Sequence, residues 1–141
     1  MQKLLVSVPL PIGASDLKKR KQVMYHDAVN TFIEACDQDI SNDNINLYLS
    51  LIEEEHNEFL QAVSDKNDTE QLDACMDMIW VILGYCYMKQ FDVAGAWNEV
   101  TQSNLSKIDS TTGKVVKRED GKVLKPEGWQ QPNFGKYVKN S

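Results

Sequence analysis

The apolar residues of this chain keep a helical rhythm over its first three quarters and lose it near the end. From Asp16, a candidate N-cap, Val23, Val29, Phe32 and Ile33 recur at helical spacing and predict a first helix reaching about Cys36. The polar run Asp37 to Asn46, with Ser41-Asn42-Asp43-Asn44 inside it, reads as a loop. A second helix is expected over about Ile45 to Val63, a third over about Glu70 to Lys89, and a fourth from an N-cap at Asp92 to about Ile108. Beyond Ser110 the period changes. Val115-Val116 and Val123-Leu124 flank Asp120-Gly121, a β-hairpin signal, and Pro126, Gly128, Trp129, Pro132 and Phe134 then make an irregular tail whose aromatics pin it to the body. The expected fold is all-α. A single domain spans 1–141, with a four-helix bundle over about 16–110 and a hairpin and tail over 111–141.

The second helix carries Leu51-Ile-Glu-Glu-Glu-His-Asn-Glu-Phe-Leu60. At about 100° per residue, Glu55 and Glu58 fall on the same arc as the apolar stripe, Glu54 lies at its edge and Glu53 faces away. The third helix is apolar on nearly every side from Ala74 to Met88, with Asp77 its only charge there. That pattern predicts a helix buried in the middle of a core. Asp73 and Asp77, four apart, share a face, and Gly84 under the same stripe allows close approach of another helix. Carboxylates turned inward need a counter-charge, because burying one unpaired costs several kcal/mol or forces it to take up a proton. Between Lys21 and Lys89 the chain offers a single cation, Lys66, in a loop. The remaining remedy is a metal. An all-oxygen cluster without His or Cys at ligand spacing selects Mg²⁺, or Mn²⁺, over zinc, and so many acids predict two or more ions completed by a phosphate-bearing substrate. On the fourth helix Asn104 falls inside the apolar stripe and Lys107 borders it, a pair suited to an anionic oxygen.

Charge sharpens this picture. The net −6 divides into −10 over residues 1–106, with 7 basic against 17 acidic residues, and +4 over 107–141, with 8 against 4. A stable nucleic-acid partner is therefore not expected. An acidic body with a basic tail suits cations and an anion between them. Cys36, Cys75 and Cys86 show no CxxC spacing and read as reduced, the last two as small core residues. The apolar N-terminus is short and broken by Pro9 and Pro11, so neither a signal peptide nor a membrane span is expected, and a cytoplasmic location follows.

Glu54-Glu55-His-Asn-Glu58, a later carboxylate pair opening an apolar helix, and Ser103-Asn-Leu-Ser-Lys107 together resemble the MazG-like all-α nucleoside triphosphate pyrophosphohydrolases. That superfamily also includes dimeric dUTPases and phosphoribosyl-ATP pyrophosphohydrolases. The likeness covers about residues 16–110, and the tail from Gly113 to Pro126 is similar to small MazG-like proteins of phage genomes. One departure stands out. The second motif of the superfamily is usually E-x-x-D, but Ala74 stands three before Asp77, and Asp73 would take the ligand role as a D-x-x-x-D variant. The resemblance implies a homodimer or homotetramer that cleaves a (d)NTP to a monophosphate and pyrophosphate. It implies that Glu54, Glu55, Glu58, Asp73 and Asp77 hold Mg²⁺, and that Glu54 or Glu55 orients the attacking water as base. Asn104 and Lys107 would hold the phosphates, with Lys125 in support, and Trp80, one turn beyond Asp77, would contact the base or simply pack in the core. No base-reading set is identifiable, so a broad (d)NTP substrate ranks above phosphoribosyl-ATP. A catalytically silent nucleotide-binding protein on the same fold would bind without turnover, and a purely structural helical module would ignore Mg²⁺.

Overall fold

The computed structural model describes residues 25–139 of the chain. Among them are four α-helices and no strand: α1 (Tyr25–Ala35), α2 (Asn42–Ser64), α3 (Asp68–Met88) and α4 (Val93–Leu105), followed by a 3₁₀ turn at Gly135–Tyr137. The all-α expectation holds. The proposed start of the first helix at Asp16 lies outside the described residues.

The helix α2 begins three residues before the expected Ile45, inside the stretch read as loop. Polar side chains there build the helix start instead of opposing it. Ser41, extended at φ −146° and ψ 161°, accepts the Asn44 N–H on its hydroxyl, and Asp43 places a negative charge in the first turn. The Asn44 amide in turn donates to the Asp39 carbonyl at 2.8 Å. Asn67 caps α3 and Asp92 caps α4 in the same way, accepting from Glu70 and Gly95.

Three helix ends share a device that no glycine announces. Asp37, Lys66 and Gln90 have φ of 53°, 54° and 55°, and each follows its helix in a Schellman turn. For α2 the Lys66 N–H donates to the Val63 carbonyl at 3.1 Å and the Asn67 N–H to Ala62 at 3.0 Å. A side chain in this left-handed region costs about 1–2 kcal/mol. Lys66→Gly is therefore expected to stabilise the fold by roughly 0.5–1 kcal/mol after the entropy glycine adds to the unfolded chain. A urea melt with a higher midpoint and unchanged slope would show it.

The turn at Lys66 folds α2 back on α3, and residues equidistant from it face each other. Tyr48 and Gly84, each eighteen residues from Lys66, are in close contact, because Gly84 leaves room for the buried Tyr48 ring. The Tyr48 hydroxyl donates to Gln38 Oε1 at 2.8 Å. Around this contact Val29 and Ile33 of α1 join Val81 and Met88 of α3 in the core, with Ile45, Leu51, Ile52 and Leu83 packed on its edge.

Two expectations need correction. The helix α3 is not covered on every side: it packs on α2 and α1, while Leu72, Met76, Ile79 and Ile82 lie open, Leu72 at 62% exposure. Nor does the stripe of α4 pack closely against the other helices. The helix α4 packs on the tail turn Gly135–Tyr137, its Trp97 is 64% exposed, and Asn104 and Leu105 are exposed as well. An open apolar groove of ≈ 510 Å³ separates α3 from α4, walled by Ile79, Ile82, Cys86, Trp97, Val100 and Phe134. Helical periodicity finds an apolar face but not what covers it. The hairpin signal resolves into an isolated antiparallel bridge, Lys117 with Val123, around the turn closed by Arg118 N–H to Lys122 O at 2.8 Å, and a second bridge pairs Ile108 with Val115 around the turn before it.

Candidate active site

The hairpin register sets the chemistry. Glu55 and Asp77 both lie eleven residues from Lys66, so they occupy facing positions, and Glu58 lies opposite the Asp73–Ala74 step. Ala74 is buried in the seam, whereas Asp73 beside it is exposed. At this position the seam holds a small, buried residue.

Of the five carboxylates, Glu55 turns inward. Its Oε2 is buried and has no hydrogen-bond partner, while Glu54, Glu58, Asp73 and Asp77 are exposed. Burial pushes the Glu55 carboxyl above its ordinary pKa, and the charges of Asp77, Glu58, Glu54 and Asp73 push it further in the same direction. The other four predicted ligands therefore all act on Glu55, whose Oε2 is the orphaned oxygen. No cation of the helical hairpin opposes them other than Lys66 at its tip. Among the described residues no three Asp, Glu, His or Cys side chains close into a finished metal cage. Like charges without a counter-ion have no reason to draw closer. A hard divalent cation fits this donor set, since it takes oxygen ligands and would give Glu55 Oε2 the partner it lacks.

The other candidate residues fall in two places. Trp80 meets Phe32 of α1 edge-on, ring centroids 5.6 Å apart, and is partly exposed. Asn104, Lys107 and Lys125 gather at the C-terminal end of α4. The Lys107 ammonium donates to Asn104 Oδ1 at 2.9 Å and lies 5.3 Å from the Trp129 ring centroid, and the Lys125 ammonium lies 4.4 Å from it. Sequence reasoning treated Trp129 only as a pin for the tail. Its link to both lysines was hidden because it depends on the turn Pro126–Trp129 bringing distant residues together.

The tail is tied to α4 by Glu99. Its carboxylate accepts the Asn133 N–H at 3.0 Å and the Tyr137 hydroxyl at 3.1 Å, with the Lys136 ammonium 3.4 Å away. These donors, Asn133 foremost, hold the Glu99 carboxyl below its ordinary pKa.

The family comparison places the chain among the MazG-like all-α nucleotide pyrophosphohydrolases. The sequence profile of the phosphoribosyl-ATP pyrophosphohydrolase family (PRA-PH) matches residues 18–104, and the chain belongs to that family. Its activity class is hydrolysis of a pyrophosphate bond in a nucleotide, and such enzymes commonly depend on a metal. No curated protein matches the chain in sequence. No helix of the described residues is long and apolar enough to cross a membrane.

Proposed function

We propose that the chain hydrolyses a nucleoside or deoxynucleoside triphosphate to its monophosphate and pyrophosphate in the cytoplasm, using Mg²⁺ or Mn²⁺. The observation that carries this reading is the buried, unpartnered Glu55 Oε2 amid four further carboxylates with no cation of the hairpin body to balance them. Glu54, Glu55, Glu58, Asp73 and Asp77 would hold two or more ions. Bound there, the ions would supply positive charge to the acids and to the phosphates. A water oxygen attacks the α-phosphorus, the bond to the α–β bridging oxygen breaks, and pyrophosphate leaves with that electron pair. Glu54 or Glu55 orients the water and takes its proton. Asn104, Lys107 and Lys125 would hold phosphate oxygens, and Trp80, beside Phe32 of α1, would contact the base or serve only as packing. The bare apolar faces of α3 and α4 support assembly as a homodimer or homotetramer, since exposed apolar surface of this extent is uncommon on monomers.

A second reading, phosphoribosyl-ATP as substrate, draws on the matched family profile. Comparing kcat/KM for NTPs, dNTPs and phosphoribosyl-ATP in Mg²⁺ separates the two. The highest value is expected on a (d)NTP. A tenfold or greater preference for phosphoribosyl-ATP, about 1.4 kcal/mol in transition-state binding, would overturn the proposed substrate. Binding of nucleotide with no turnover of any of them would favour a silent regulatory protein, for which Ala74 in the second motif is the support.

A further inference from the structure

The tail runs back along α4 in register with its turns. The Trp129 indole N–H donates to the Ser103 carbonyl at 2.9 Å, the Asn133 N–H donates to Glu99 Oε1 at 3.0 Å, and the Tyr137 ring lies against Gly95. Each step of four residues along the tail thus meets the preceding turn of the helix. Further bonds brace both ends. The Ser103 hydroxyl donates to the Gln130 carbonyl at 3.2 Å, and the Tyr137 hydroxyl donates to Glu99 Oε2 at 3.1 Å. Where α3 gives way to α4, the Asp92 N–H donates to the Tyr137 carbonyl at 2.9 Å and the Lys139 ammonium donates to Gln90 Oε1.

Little else holds α4. It follows α3 through the link 89–92, packs on the turn Gly135–Tyr137 and leaves an open groove toward α3. Phe134, Tyr137 and Val138 line that groove together with Ile79, Ile82 and Cys86, so the turn sits at the junction of the two helices. At 13 residues α4 is marginal as an isolated helix, and Gly95 weakens it by about 1 kcal/mol relative to alanine. That glycine has a reason: a Cβ there would overlap the Tyr137 ring and the Asp92 carboxylate. We propose that the tail is a strap that sets the orientation of α4 on α3. Tyr137 is its positioning residue, acting through Glu99 and Gly95 to fix the end of the helix that carries Asn104 and leads into Lys107. Trp129, Asn133 and Tyr137 all lie beyond residue 104, where the family match ends, so the strap belongs to this chain's own tail. The strap itself is independent of the proposed function, and its effect on turnover rests on that reading.

Amide hydrogen exchange of the full chain, read by mass spectrometry, tests the strap without any turnover. Tyr137→Ala is expected to speed exchange across Val93–Leu105 by roughly tenfold or more, while α2 and α3 keep their wild-type protection. Tyr137→Phe keeps the ring on Gly95 but loses the bond to Glu99, so it should fall between the two. Glu99→Ala should also loosen α4, although alanine is a good helix former. In the proposed reaction, Tyr137→Ala raises KM for the nucleotide by about fivefold or more with kcat changed less than about twofold, because the carboxylates of α2 and α3 stay in place. Tyr137→Phe recovers most of that loss. Unchanged α4 exchange in Tyr137→Ala, or equal acceleration throughout α1, α2 and α3, would overturn the strap. A loosened α4 with unchanged KM would overturn the positioning role of Tyr137 and leave the enzyme reading standing. A loosened α4 in a chain that hydrolyses no nucleotide would sink the enzyme reading and support the strap.

Discussion

Glu55→Gln is expected to raise the melting temperature of the cation-free protein at neutral pH, to cancel the further rise that Mg²⁺ produces in wild type, and to lower turnover by about 10²–10⁴-fold. The first effect follows from the sign of the pKa shift. An acid whose folded pKa lies above its unfolded value opposes folding once it ionises. Cation-free wild type should therefore lose stability as pH climbs from about 4.3, the unfolded value, through the raised folded value, and stay at the lower level above it. Glutamine removes that pH dependence. It also offers an amide N–H to the neighbouring carboxylates, which had only acceptors. The second effect is linkage: a ligand held by the native state alone stabilises it by about 2.7 kcal/mol at a hundredfold excess over Kd. A variant that melts like wild type with and without Mg²⁺, from pH 4 to 8, would contradict the assignment of Glu55.

Gly84→Ala is expected to destabilise the protein by about 1–3 kcal/mol, lowering Tm by roughly 4–12 °C. Two effects compete. Alanine is the better helix former by about 1 kcal/mol. Against that, a Cβ at Gly84 would overlap the Tyr48 ring, with even the ring's Cζ only 2.8 Å away. The ring cannot swing aside cheaply. It is 4% exposed, packed among Val29, Ile33, Val81 and Met88, and tied to Gln38 through its hydroxyl. Overpacking should therefore outweigh propensity. In a Tyr48→Ala background the sign should reverse, since the space is then empty and only propensity remains. A more stable Gly84→Ala in the wild-type background would mean that the helical hairpin is looser than this contact implies.

The sequence carried the carboxylate cluster in plain form. Glu54, Glu55 and Glu58 overlap an apolar stripe, Asp73 and Asp77 share a face, and the chain from 22 to 88 holds a lone lysine. Helical geometry turns such spacing directly into position, and a short turn leaves little freedom in how α2 meets α3. What stayed hidden was of another kind. The start of α2 depends on a side chain acting as a cap, and the three left-handed helix ends on backbone hydrogen bonds, at positions where residue type alone favours a loop or predicts nothing. The bare face of α3 and the docking of α4 on the tail depend on which surfaces meet, and periodicity is silent on that. The Trp129 cluster joins residues twenty or more positions apart through a turn, which no local pattern encodes.

The account stands or falls on which bond is broken and whether a cation is required. Purified protein would be incubated with nucleoside triphosphates in Mg²⁺ and again in EDTA, with Asp77→Ala alongside, and the products separated by ion-exchange chromatography. The account predicts monophosphate and pyrophosphate in equal amounts, formed only with the cation and lost in Asp77→Ala. Diphosphate with orthophosphate, or undiminished turnover in EDTA, would contradict it.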